Sequence, residues 1–154
     1  MTTSETPNFT ALIGKWEGET KTIFDPSAGH EAGHTKTEFK FILDNLFLEE
    51  TYEGSIGSKT HNGRRILGFD SRLNAITCCW MDTFHTGATA MARSGPIDPS
   101  KISVLGHYYG GSDKWGWRTD FVLKDDELTI QQFNISPSGQ VDLAVESKLR
   151  RRTA

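Results

Sequence analysis

The chain has 154 residues, of which 24% are charged and 10% aromatic. That suits one folded domain spanning residues 1–154 with an ordered core near 9–151, and it excludes a disordered or fibrous polymer. Seventeen basic against twenty acidic residues give a net charge of −3, which argues against a nucleic-acid binder, whose partner demands a basic face. No apolar run reaches the roughly 18 residues of a membrane span. The polar residues 1–8 lack the apolar stretch of a secretory signal, so a cytoplasmic location is expected.

The first element reads as a short helix. Asn8 can cap it, and Phe9, Leu12 and Ile13 share one side. The period then changes to two. Lys15, Glu17, Glu19 and Lys21 alternate with Trp16, Gly18, Thr20 and Thr22, the pattern of a half-buried strand. The alternation returns at residues 36–41, 46–53, 63–69, 74–81, 87–93, 102–109, 115–124, 127–135 and 141–150. Turn residues separate many of these runs: Asn62-Gly63, Gly95-Pro96, Gly110-Gly111, Asp125-Asp126 and Pro137-Ser138-Gly139. About ten consecutive short strands predict an all-β, antiparallel up-and-down meander. A meander with one charged face buries the other by closing into a barrel, and such barrels often hold one small ligand inside.

Two motifs have bland readings. Cys78 and Cys79 are strand neighbours pointing to opposite faces, which disfavours a disulfide between them. His30-Glu31-Ala32-Gly33-His34 spells H-E-x-x-H, which ligates zinc only on a helix. Here glycines flank it and Asp25-Pro26 precedes it, so a hairpin loop is expected, with at most adventitious metal binding by the two histidines. No nucleophile elbow, glycine loop or metal motif in a suitable context is present, and no catalytic residue, metal or cofactor is predicted.

The aromatic residues carry more. Trp16, Phe39, Phe41, Tyr52, Phe69, Trp80, Tyr108, Trp117, Phe121 and Phe133 all fall on predicted strands. A barrel of about ten strands is too wide for its own side chains to fill, so some of them should line a cavity. Glu50 shares a phase with Leu46, Leu48 and Tyr52, and Asp82 shares one with Ile76, Cys78 and Trp80. An inward Glu50 needs a cation or a ligand, and Arg118 and His107 are the candidates. The expected ligand-binding set is therefore Trp16, Phe41, Glu50, Tyr52, Phe69, Trp80, Asp82, Tyr108 and Arg118.

Three motifs also carry a resemblance. Leu12-Ile13-Gly14-Lys15-Trp16-Glu17-Gly18 runs into a strand as G-x-W-x-G, an opening similar to that of lipocalins and fatty-acid-binding proteins. Gly68-Phe69-Asp70 is followed ten residues later by Trp80-Met81-Asp82, and the last strand ends in Leu149-Arg150. Together these resemble the uncharacterised bacterial calycin-like family, domain of unknown function 1579. The resemblance implies a lipocalin-like barrel and no established reaction. Nitrobindin-type barrels share the entrance pattern and bind haem through a histidine on a late strand, but this chain has no histidine after His107.

The leading functional expectation is a barrel that holds a small hydrophobic or amphipathic ligand. The alternatives are an enzyme using Glu50 or Asp82 as general acid-base, and a solid barrel that acts as an interaction module or self-associates as a homo-oligomer.

Overall fold

The structure, a computed structural model, describes residues 6–152. The first five residues of the stretch expected to lack a signal, and the last two of the expected domain, lie outside the described residues.

Ten strands form in chain order: β1 (Gly14–Thr22), β2 (Glu31–Ile42), β3 (Phe47–Ile56), β4 (Lys59–Asp70), β5 (Ala75–Asp82), β6 (Met91–Pro96), β7 (Ile102–Gly110), β8 (Asp113–Lys124), β9 (Glu127–Ile135) and β10 (Val141–Arg151). Each pairs antiparallel with its neighbours in sequence, and β1 pairs with β10 to close the barrel. The all-β, closed, up-and-down architecture agrees with the alternation of the sequence. Closure leaves no long edge strand exposed.

Several local expectations are corrected. The N-terminal element is no helix but a single 3-10 turn, Thr10–Leu12. Asn8 still caps it, since its Oδ1 accepts the Ala11 N–H at 3.3 Å. The three residues are held by packing, which a short turn can satisfy as well as a helix. The H-E-x-x-H segment is not a loop, because β2 begins at Glu31 and carries Ala32, Gly33 and His34. Gly33 fits there because a Cβ would lie 1.8 Å from the Ser55 carbonyl oxygen. Asn62-Gly63 is not a turn but the middle of β4, the reversal falling instead at Gly57 with φ +59°. Residues 87–90 precede β6 instead of belonging to it, and Leu46, expected inside, is 71% exposed in the β2–β3 turn.

The interior falls into two halves. At the end where β1 begins, Trp16, Phe39, Leu48, Leu67, Ile76, Phe121, Leu128 and Leu149 form one apolar cluster, with Phe9 and Leu12 of the 3-10 turn closing it. Trp16 is fully buried, and its indole N–H donates to the Leu12 carbonyl at 2.9 Å. This half is solid. The other half carries polar side chains on the same inward phase, including Thr20, Thr35, Tyr52, Asp82 and Gln132. Truncating Trp16 would open a large cavity in the solid half. Trp16→Ala should therefore lose about 3–5 kcal/mol, read as a lower urea midpoint at unchanged slope.

Candidate functional site

The site is built in two tiers, one in the middle of the barrel and one at its open end. In the middle tier Glu50 (β3) faces Arg65 (β4), its registered neighbour across the ladder. Arg65 Nη1 donates to Glu50 Oε1 at 2.6 Å, and Thr37 Oγ1 donates to Oε2 at 2.8 Å. Both ions are out of solvent, at 1% and 2% exposure. Burial works against the Arg65 charge, but Glu50 more than reverses that and holds its pKa above the ordinary range. The guanidinium also lies over the Tyr52 ring, 4.7 Å from its centroid.

Arg93 (β6) completes this tier. Its stem runs beneath Gly106 of β7, where a Cβ would meet Arg93 Cγ at 2.4 Å. Its head donates to Thr119 Oγ1 and, at 3.5 Å, to Cys78 Sγ, and it lies 4.8 Å from the Trp80 ring. Among the described residues no carboxylate pairs with it, and burial lowers its pKa. Burial likewise raises the pKa of the Cys78 thiol, against the pull of the Arg93 and Arg65 charges. Cys79 points outward and is exposed.

The upper tier depends on a missing side chain. Tyr52, Gly63 and Asp82 lie side by side on β3, β4 and β5. A Cβ on Gly63 would sit 2.0 Å from Tyr52 Cζ, so the glycine lets the phenol lie flat across β4. Its hydroxyl then donates to Asp82 Oδ2, and it accepts the Trp80 indole N–H at 2.9 Å. Asp82 Oδ1 accepts the backbone N–H groups of Phe84 and His85, at 2.6 and 2.8 Å. Burial opposes the Asp82 charge, but His85 and Tyr52 together outweigh it and hold the carboxyl well below the usual range. Tyr52 moves the other way, since burial raises its pKa and Asp82 adds to the shift. Burial also lowers the pKa of His61 (β4).

Through those hydrogen bonds Asp82 holds the β5–β6 loop over the open end. His85, on that loop, packs against both Trp80 and Trp117, with ring centroids 5.6 and 5.5 Å away. Beneath it, a small cavity of about 30 Å³ is lined by Glu50, Tyr52, His61, Arg65, Asp82 and His85 among others. Beside it, a larger cleft of about 520 Å³ opens between Trp80, His85, Met91, His107, Tyr108 and Trp117. The cleft has a cause in the sheet. β6 and β7 register at one pair only, Ser94 with Leu105, and the cleft lies where their ends run on past that pair.

The expected ligand-binding residues separate on this frame. Glu50, Tyr52, Trp80 and Asp82 come together in the two tiers. Tyr108 lines the cleft, and its hydroxyl donates to Asn134 at 2.5 Å. Trp16 is at the opposite, solid end, with Phe41 packed against its cluster, and Phe69 also lies at that end of β4. Arg118 faces outward, 3.2 Å from Asp120 and over the Phe133 ring, so Glu50 finds its cation in Arg65, not in Arg118 or His107.

Sequence reasoning missed Arg65, Arg93, His61 and His85. Arg65 shares the phase of Leu67 and Phe69 on the strand expected over residues 63–69, so the alternation alone could have marked it as inward. Arg93 shares a phase with Met91. His85 lies on a loop, where no periodicity could have marked it.

A family profile described as Protein of unknown function (DUF1579) matches residues 2–151. The chain belongs to this family. Among solved structures it is similar to Rv2717c from M. tuberculosis, with a TM-score of 0.63 and 14% sequence identity over 96% of this chain and 99% of that one. That likeness concerns the fold. No curated protein matches the sequence. Among the described residues, no helix is long and apolar enough to cross a membrane.

The buried pair sets a testable asymmetry. Glu50→Gln leaves Arg65 charged and unpaired, so urea denaturation should show a loss of about 3–5 kcal/mol. The double variant Glu50→Leu/Arg65→Met removes both charges and should recover most of it.

Proposed function

We propose that this barrel binds a small, partly apolar molecule at its mouth, in the cleft between β6 and β7. The observation that carries the reading is the cleft itself. Its volume of about 520 Å³ falls within the range of pockets that hold small organic ligands. Its walls are aromatic and thioether surface from Trp80, Trp117, Tyr108 and Met91, with His85, His107, Thr86 and Thr89 as polar groups. Neither Lys, Arg, Asp nor Glu lines it, so the chemistry favours a neutral or weakly polar ligand with a flat apolar face. The apolar half of the barrel is packed solid, and the cavity beneath His85 is too small for such a molecule. The ligand therefore sits above His85 and the Trp80–Trp117 pair, whose rings are nearly parallel with centroids 5.8 Å apart.

A catalytic role for Glu50 or Asp82 has less support. Glu50 is tied to Arg65 and Thr37, and Asp82 already accepts from Tyr52 and two backbone N–H groups. A general acid-base needs a carboxyl free to exchange its proton with substrate.

The test uses the neutral fluorescent probe N-phenyl-1-naphthylamine. Saturable binding at one site should weaken at least about tenfold in Trp117→Ala and in Met91→Lys, and stay unchanged in Arg118→Ala. A probe that binds with equal affinity to both cleft variants removes the mouth as the site.

A further inference from the structure

The upper tier places two imidazoles and one carboxylate around a common point. His61 comes from β4, Asp82 from the end of β5 and His85 from the β5–β6 loop, and one potential ligand atom of each lies within 4.8 Å of the others. We infer that His61, Asp82 and His85 form a binding site for a divalent transition-metal ion of the zinc type, placed under the mouth of the barrel. This inference does not rest on the reading of the cleft as an organic ligand site: His85 borders both, but His61 and Asp82 line the cavity beneath and not the cleft.

Three features of the geometry carry it. The first is spacing. Ligand bonds of about 2.0–2.2 Å at tetrahedral or octahedral angles put neighbouring donor atoms roughly 3.0–3.4 Å apart. His85 Nδ1 and Asp82 Oδ2 are 3.2 Å apart, which already fits two ligands of one ion. His61 then has to close by an ångström or so, a side-chain adjustment on a half-buried residue.

The second feature is an unspent nitrogen. His85 Nδ1 is out of contact with solvent and makes no well-formed hydrogen bond, although it points at a carboxylate. Such a nitrogen is costly to bury, and a metal ion between it and Asp82 would satisfy both. Asp82 is prepared for that role. Its Oδ1 is occupied by the two backbone N–H groups of the loop, which leaves Oδ2 facing the imidazoles. The Tyr52 hydroxyl on Oδ2 supplies the supporting hydrogen bond typical of a ligating carboxylate, with Trp80 in turn fixing Tyr52.

The third feature is space. The cavity of about 30 Å³ is lined by all three residues. It can hold a water molecule, so an ion with three protein ligands would keep an open position there. Two nitrogens and one oxygen form a borderline donor set that selects Zn²⁺, Fe²⁺, Co²⁺ or Ni²⁺ over the hard ions Ca²⁺ and Mg²⁺, which prefer oxygen throughout. The ion would tie the loop to two strands and so stabilise the mouth.

The rival histidines, His30 and His34, sit apart from this cluster. On extended chain, residues four apart are separated by about 13 Å, too far for one ion. They provide the internal control.

The experiment is titration of tag-free, chelator-stripped protein with Co²⁺, followed by its visible absorption, and with Zn²⁺ by calorimetry. One equivalent should bind, with a rise in melting temperature, and His30→Ala/His34→Ala should behave like the parent. His61→Ala and His85→Ala should each lose at least about tenfold in affinity, and circular dichroism should show both still folded. If one of them does not fold, His61→Gln or His85→Gln takes its place. Absence of a stoichiometric site in the parent, or parental affinity in either the His61 or the His85 variant, would overturn the assignment.

Discussion

The Glu50–Arg65 ion pair divides this barrel. Two charges buried midway along the interior are sustained by facing each other and by partners for their remaining polar atoms. Register achieves the first, since the two residues are direct cross-strand neighbours. Thr37 meets the second Glu50 oxygen and the Tyr52 ring faces the guanidinium, while Arg65 Nε has no hydrogen-bond partner among the described residues. Everything toward one end of this pair is apolar and closed by the 3-10 turn. Toward the other end polar and aromatic side chains join a few aliphatic ones such as Ile130 and Val145. The pair is thus the floor of the mouth, and it leaves the chemistry of the protein to one end of the barrel.

Above that floor, a row of three registered residues does the positioning. Gly63 between Tyr52 and Asp82 is the hinge of the design, because any side chain there would push the phenol away from the carboxylate. With the phenol in place, Asp82 has a fixed orientation and can hold two loop amides. The loop in turn sets His85 against Trp80 and Trp117. One small residue in the middle of a strand therefore governs where a loop histidine lies. The second element is the cleft beside the stacked rings, which lies where β6 and β7 run on past their one registered pair. A surface collar of Phe24, Phe84 and Tyr109, all exposed, surrounds the same end and extends its apolar character outward.

Much of the frame was legible in the sequence. Alternation at period two located all ten strands, and the phase of Leu48, Glu50 and Tyr52 placed Glu50 inside. Trp16 was legible as an inward aromatic, but its place at the sealed end, away from the mouth, emerged only with the fold. The partners were not legible, for physical reasons. Asn62-Gly63 has the composition of a tight turn, yet here the glycine serves a cross-strand tyrosine, a tertiary demand that local preference cannot express. Arg118 and Arg65 both sit on alternating strands, but Arg118 takes the outward phase between Trp117 and Thr119, and the register of β3 with β4 sets Arg65 beside Glu50. Loop residues carry no period, so His85 could emerge only with the fold. The H-E-x-x-H spelling shows the converse, a motif whose meaning vanishes once its backbone is a strand.

The central claim is that function resides at the mouth and not in a hollow interior. Its most direct test is the nitrogen-15 spectrum of the four indole N–H groups, recorded as the protein is titrated with ligands recovered from its native extract. Trp80 and Trp117 line the cleft, while Trp16 is sealed at the far end. The account predicts that the Trp80 and Trp117 resonances shift in step with occupancy while that of Trp16 stays in place. A ligand that moves the Trp16 resonance and leaves Trp80 and Trp117 unmoved would contradict it.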